Sequence, residues 1–182
     1  MIKKAVLATM LFSLSSVAMA DIIYTINAHQ EIVLKKVSKK RFEKISSVNT
    51  GVEKMVVTLG NKVINQAEQE INIADDKNKF ALEVTGKNIL KVEDEKEKIN
   101  TEIEAAIETS LFGSVKSITI DSKTADALYA EAYKRTGVDI LKNANYGNVI
   151  KSKINSSNIE CVAEGDLLKC DQDQELKFTI EF

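Results

Sequence analysis

Two cysteines nine positions apart constrain this chain more than any other local feature, because the residues between them predict a β-hairpin of one register. The segment is centred on Gly165-Asp166, and Gly-Asp is typical of a two-residue loop whose glycine takes the φ > 0 position of a type II′ turn. Counting outward, Cys161 lies opposite Cys170 at a non-hydrogen-bonded site, where Cα atoms are about 4.5 Å apart. That separation is at the short end of what a disulfide tolerates, so we predict a structural Cys161–Cys170 disulfide.

A redox-active or metal-binding role is the alternative for this cysteine pair. The spacing is not C-x-x-C, and the single histidine of the chain, His29, is far away in sequence. Both observations favour the structural disulfide.

Alternating apolar and polar side chains predict several β-strands. The longest alternation spans residues 21–37 and is typical of an antiparallel strand with one face against a core. Shorter alternations occur around residues 80–84, 115–120 and 175–182. The chain contains no proline, so its turns must be formed by glycine, asparagine, aspartate and serine.

Two segments predict amphipathic helices. In residues 93–112 large apolar side chains recur every four positions, and acidic side chains crowd the first turns, near the positive end of a helix dipole. A second helix is expected from Asp121 or Ser122 to about Arg135, with Ala125, Tyr129 and Tyr133 among its inward-facing residues. These patterns together predict an α+β fold: a mostly antiparallel sheet with two amphipathic helices and a C-terminal disulfide-stapled β-hairpin.

The first twenty residues predict export. Two lysines precede the apolar run Ala5–Phe12, and Ala18-Met19-Ala20 supplies small residues around a cleavage site between Ala20 and Asp21. An uncleaved membrane anchor is the alternative, but the run is shorter than the ~20 residues that span a bilayer. We therefore expect a bacterial-type signal peptide over 1–20, a single domain over 21–182, and a periplasmic or secreted protein.

Charge and motif content exclude several partners and cofactors. The formal net charge is −2, and −4 without the two lysines of the signal segment, which gives no broad preference for nucleic acid or anionic lipid. No second segment is long and apolar enough to form an integral membrane helix after cleavage. The chain has no nucleotide-binding glycine loop, no H-E-x-x-H and no G-x-S-x-G. We therefore predict no nucleic-acid partner, no cofactor, no metal site and no identifiable catalytic residue.

Two sets of residues are candidate catalytic groups. His29 is the residue that a Ser-His or Cys-His pair would need, but it lies on the polar face of the first strand, where it is expected to face solvent. The acidic pairs Glu93/Glu97 and Glu104/Glu108 are spaced to hold a cation or to act as acid and base on a helix. Surface ion pairing of that helix is the simpler interpretation.

Two further segments are candidate binding sites. Residues 171–175 resemble the first half of an EF-hand loop, but Leu176 stands where glycine is needed and Phe182 where glutamate is needed. Basic residues over 35–41 form a local positive patch, a candidate site for lipid A phosphates, peptidoglycan acids or a nucleic acid. A polar bend and a solvated connector are the expected structural roles of these two segments.

The C-terminal strand has one resemblance to a known class. Leu176, Phe178, Ile180 and Phe182 alternate up to a terminal phenylalanine, which resembles the last strand of bacterial outer-membrane β-barrels. The resemblance covers about seven residues, and an aromatic content of 5% departs from the pattern of such barrels. An ordinary final strand packed on the core is the alternative.

Three hypotheses for function follow from these patterns. The leading one is an exported, non-catalytic binding module for an unknown protein or cell-envelope component. A carboxylate-dependent envelope hydrolase is the second, because such enzymes leave no local signature. A small outer-membrane β-barrel protein is the third.

Overall fold

The computed structural model describes residues 20–144 and 148–181. Eleven strands and one helix, α1, make up these residues. In chain order the elements are β1 (Ala20–Lys36), β2 (Arg41–Leu59), β3 (Lys62–Ala74), β4 (Phe80–Val84), β5 (Ile89–Asp94), β6 (Ile99–Glu104), β7 (Ala106–Thr109), β8 (Val115–Ile120), α1 (Ser122–Ala144), β9 (Asn148–Ser156), β10 (Ile159–Glu164) and β11 (Leu167–Glu181).

All eleven strands belong to one sheet in the order β6-β5-β4-β2-β1-β11-β10-β8-β7, with β3 also paired to β2 and β9 to β11. Every recorded strand pair among the described residues is antiparallel. β2 and β11 each have two partners on one side because they are long. β2 pairs with β4 near its start and with β3 beyond, and β11 pairs with β10 near its start and with β9 beyond.

The sheet curls until its two ends almost meet. β6 and β7 are the end strands of the order, and the single residue Ala105 joins them in sequence. Its amide donates to the carbonyl of Asn88 over 2.9 Å. This nearly closed, barrel-like part of the sheet encloses the core, whose fully buried members include Leu34, Leu90, Ile118 and Leu168.

The predicted α+β fold is wrong, because the first predicted helix, residues 93–112, is β-structure. It spans the end of β5, all of β6 and β7, and their turns. Residues four apart lie on one face of a strand as well as of a helix, so the spacing of Ile99, Ile103 and Ile107 fits both. All three pack against the core cluster from strands, and the acidic stretch holds a turn in which Lys98 has a φ of 55°.

The second predicted helix is present as α1. Asp121 caps it: the side chain accepts a hydrogen bond from the Thr124 amide over 3.0 Å, and its carbonyl accepts one from the Ala125 amide. The helix continues past the predicted end at Arg135 to Ala144. The predicted start of α1 is therefore confirmed, and the helix is longer than the sequence pattern indicates.

The cysteine hairpin is confirmed. Glu164 pairs with Leu167 and Cys161 with Cys170 in the predicted register, and Gly165 has a φ of 63°. The two cysteines form a disulfide with Cα atoms 4.0 Å apart.

The last strand turns its apolar side chains inward. Leu176, Phe178 and Ile180 of β11 are buried, so their alternation has a role within the fold. Phe182 and most of the predicted signal segment lie outside the described residues, and the outer-membrane hypothesis stays a prediction. No helix in the described part of the chain is long and apolar enough to span a membrane.

Candidate functional site

The candidate site is a groove of about 400 Å³ between α1 and the face of the long strands on which α1 packs. Strand alternation places Ile26 of β1, Leu176 of β11 and Glu53 of β2 side by side on this face, since Ile26 pairs with both of the others. We call this cavity the groove. Its apolar wall is formed by Ile26, Ala28, Ile32, Ile71, Ile73, Phe80 and Leu176.

A second cavity extends the apolar wall toward the core. It holds about 20 Å³ and shares Gln30, Ile32, Phe80 and Tyr129 with the groove. Its other lining residues include Leu82 and Val92 of the core cluster. The inner end of the groove is therefore strongly apolar.

Two tyrosines of α1 form the opposite wall. Tyr129 and Tyr133 are four residues apart, so they lie on one side of the helix, and their ring centroids are 5.6 Å apart. The Tyr133 hydroxyl donates a hydrogen bond to the side-chain oxygen of Gln174. Gln174 donates in turn to Gln172 over 2.7 Å, so this chain of bonds anchors α1 on β11.

The hydroxyl of Tyr129 has no such partner. The residue is only 8% exposed, and no hydrogen bond to the hydroxyl is found within residues 20–144 and 148–181. Burial raises the pKa of Tyr129, and the charges of Asp94 and Glu97 raise it further. The hydroxyl is therefore protonated at physiological pH and lies within electrostatic reach of two carboxyls.

A compact cluster around Asp75 forms one rim of the groove. The Lys44 side chain is 4% exposed, and its Nζ donates to the Asp75 carbonyl over 2.9 Å. The Ser47 hydroxyl donates to the same carbonyl over 2.9 Å. Lys96 Nζ lies 4.0 Å from the Asp75 carboxylate. Burial disfavours the charged form of the Asp75 carboxylate. Hydrogen bonds from the amides of Asn78 and Lys77 and the charge of Lys44 outweigh this effect, so the pKa of Asp75 is lowered.

Three other carboxyls line the groove: Glu53, Asp94 and Glu97. Asp94 accepts a hydrogen bond from the Glu97 amide over 2.9 Å. Burial raises the pKa of Glu97, and the neighbouring Asp94 raises it further. No ion pair to any of the three carboxyls occurs in the described part of the chain.

The candidate catalytic residues and the basic patch predicted from the sequence lie outside the groove, with one exception. His29 is on the opposite face of β1, where its Nδ1 lies 2.8 Å from Asp173 Oδ1. Glu93 and Arg41, from the acidic and basic stretches, pair with each other over 3.1 Å. Glu104 and Glu108 are exposed on two different strands. Among the candidate catalytic residues, only Glu97 lines the groove, although the predicted helix that suggested it is absent from the described chain.

The EF-hand-like segment is extended. Residues 171–175 belong to β11, so their side chains alternate between two faces and cannot surround one ion. No group of three or more histidine, cysteine, aspartate or glutamate side chains that could hold a metal ion is found among the residues that the structure describes.

Some of the residues that line the groove can be predicted from the sequence. The second helix pattern predicts that Ala125, Tyr129 and Tyr133 face inward, and Ala125 and Tyr129 are buried as expected. Lys44, Glu53 and Asp75 carry no sequence signal, because strand pairing distant in sequence brings them to the groove. Comparisons of the chain with protein-family models, curated proteins and solved structures find no match.

Proposed function

We propose that this protein is an exported, non-catalytic binding module whose ligand is an amphipathic molecule held in the groove. The observation that carries the proposal is the groove itself: about 400 Å³ with one apolar wall and a polar rim. This volume lies within the range of about 300–1,000 Å³ that is typical of small-molecule sites, which combine apolar walls with a few polar groups.

Two features support export. Residues 1–20 have the pattern of a secretory signal, and the Cys161–Cys170 disulfide is of a kind that persists in oxidising compartments. Fractionation of cells that express the untagged protein tests this part of the proposal. Recovery in the osmotic-shock fluid or the medium, with no free thiol, is expected. Recovery in the cytoplasm with two free thiols would refute it.

Binding in the groove is tested by filling it. Ala28 lines the groove, and Ala28→Phe places an aromatic ring there. Asn27→Phe is the matched control, because Asn27 is the exposed neighbour on the opposite face of β1. An environment-sensitive apolar fluorophore should bind the native protein and Asn27→Phe alike, and Ala28→Phe at least about tenfold more weakly. No fluorophore binding, or equal loss in both variants, would contradict the proposal.

A carboxylate-dependent envelope hydrolase is the second candidate. The observation that favours it is the position of Glu97, whose pKa is raised by burial and by Asp94 in the same groove. A carboxyl with a raised pKa beside another carboxyl is an arrangement that acid–base catalysis uses. Release of soluble fragments from purified peptidoglycan by the native protein, abolished in Glu97→Gln, would replace the binding module with this enzyme.

A further inference from the structure

We propose that the groove selects a cationic amphiphile, with the alkyl part of the ligand against the apolar wall and its ammonium group beside Tyr129 and Glu97. This inference rests on the proposed binding function and adds the chemical class of the ligand. Three observations carry it: the charges of the lining, the unused hydroxyl of Tyr129, and the position of the aromatic rings.

The groove has more negative than positive side chains, and both positive side chains lie close to the same carboxylate. Its charged lining consists of two lysines and four carboxyls. Both lysines are directed at one carboxyl: Lys44 lies 3.9 Å and Lys96 4.0 Å from Asp75. Glu53, Asp94 and Glu97 therefore form no direct ion pair among the described residues, although the charge of Lys96 also acts on Glu97. A cationic ligand would supply a direct partner for these carboxyls.

The Tyr129 hydroxyl is a polar group of the groove that is left for a ligand. The Tyr133 hydroxyl donates its hydrogen bond to Gln174, whereas the Tyr129 residue is 8% exposed and its hydroxyl has no hydrogen-bond partner in the described chain. An ammonium group has several N–H donors, as a lysine has, so one group can donate to the Tyr129 oxygen and to the Glu97 carboxylate together.

The aromatic wall favours the same ligand. The rings of Tyr129 and Tyr133 are 5.6 Å apart at their centroids and line the groove together. The electron-rich faces of tyrosine rings attract cations, and this attraction grows when the site excludes water. An anionic ligand would have no unpaired cation to bind in the described part of the groove. A neutral ligand would leave Glu53, Asp94 and Glu97 without a direct ion pair.

Isothermal titration calorimetry with three octyl compounds tests the charge preference. Octylamine, 1-octanol and octanoate share a chain length and differ in the charge of the head group. At neutral pH and low salt, the disulfide-bonded protein should bind octylamine roughly tenfold or more tightly than 1-octanol, and octanoate most weakly, because hydrogen bonds to charged groups add more than neutral ones.

Two variants locate the cation. Glu97→Gln keeps the shape and removes the charge, so octylamine affinity should fall about tenfold while 1-octanol affinity stays unchanged. Glu95→Gln is the matched control, since Glu95 is an exposed carboxyl two residues away and outside the groove. Tyr129→Phe removes only the hydroxyl and should also weaken octylamine binding, which provides an independent test if Glu97→Gln does not fold.

The outcomes separate this inference from the function on which it rests. If 1-octanol or octanoate binds as tightly as octylamine, or if neither groove variant weakens octylamine binding, the cationic ligand is refuted and the binding module stands. If no octyl compound binds the native protein, the binding function is refuted together with the inference.

Discussion

At the scale of single residues, the histidine of this chain has a partner that its sequence position does not show. His29 and Asp173 are 144 positions apart, and β1 and β11 bring them into register. His29 Nδ1 lies 2.8 Å from Asp173 Oδ1, and Nε2 lies 3.7 Å from Glu31 Oε1. The hydrogen bond to Asp173 is the main cause that raises the pKa of His29, against a smaller effect of burial.

The raised pKa predicts a pH dependence of stability with a definite sign. A group whose pKa is higher in the folded state stabilises the fold below its unfolded pKa, about 6.5 for histidine. This stabilisation is lost as the pH rises through the folded pKa. The effect is small, because the ring is 42% exposed and solvent screens the pair.

An NMR titration of the His29 ring checks this prediction. Asp173→Asn should bring the pKa back toward 6.5, and Asp171→Asn, which removes a more distant charge, should change it less. Equal pKa values in the native protein and in Asp173→Asn would show that the hydrogen bond is not formed in solution.

At the scale of elements, the disulfide-closed hairpin is the unit whose contribution can be measured most directly. Cys161 and Cys170 both belong to the core cluster and are nine positions apart. Closing a loop of about ten residues stabilises a fold by roughly 2.5–3 kcal/mol in the chain-entropy model. We predict that reduction lowers the free energy of unfolding by that amount.

Urea unfolding in the presence and absence of a reductant measures the change. The double variant Cys161→Ala/Cys170→Ala should lose at least as much stability as reduction, because it also removes two buried sulfur atoms. The same reductant should leave the stability of this variant unchanged. An unchanged midpoint on reduction of the native protein would contradict the prediction.

At the scale of the whole molecule, the first and last strands in sequence, β1 and β11, lie side by side at the centre of the sheet. β1 pairs with β11 from Asp21↔Glu181 to Lys35↔Leu167, and β9 lies on the other side of β11. Folding therefore needs contacts between the most distant parts of the sequence, which is typical of slow-folding β-proteins.

This topology predicts that a short C-terminal deletion prevents folding. Removing residues 175–182 removes Leu176, Phe178 and Ile180, each of which contributes about 1.5–3 kcal/mol by burial. Their sum approaches the total stability of an ordinary domain, about 5–15 kcal/mol. Circular dichroism should show an unfolded chain. The control, Leu111→Ser/Phe112→Ser, changes two fully exposed residues and should stay folded.

Gly51 shows why local patterns mislead about this topology. The sequence Asn49-Thr50-Gly51 predicts a turn, yet all three residues lie inside β2. A Cβ on Gly51 would lie 2.0 Å from the carbonyl oxygen of Asn27, so the glycine is required by the close approach of β1. The close approach of β1 and β2 depends on their pairing, so it cannot be predicted from the three residues Asn49-Thr50-Gly51 alone.

Features whose interacting residues are close along the chain could be predicted from the sequence alone. Residues 161–170 contain the whole hairpin, its loop and its disulfide, and the cap at Asp121 starts α1 with residues one turn away. These features need no distant contact, because the hydrogen bonds and torsion preferences that form them act within about ten residues.

The choice between a helix and strands for residues 93–112, and the set of side chains that meet in the groove, depend on contacts between distant parts of the chain. A four-residue apolar spacing satisfies both a helix and a strand, so the choice depended on the strands available to pair with β5, β6 and β7. The groove joins Glu53 of β2, Glu97 of a turn and Tyr129 of α1. Residues so far apart in sequence become neighbours only when the sheet curls and α1 packs against it.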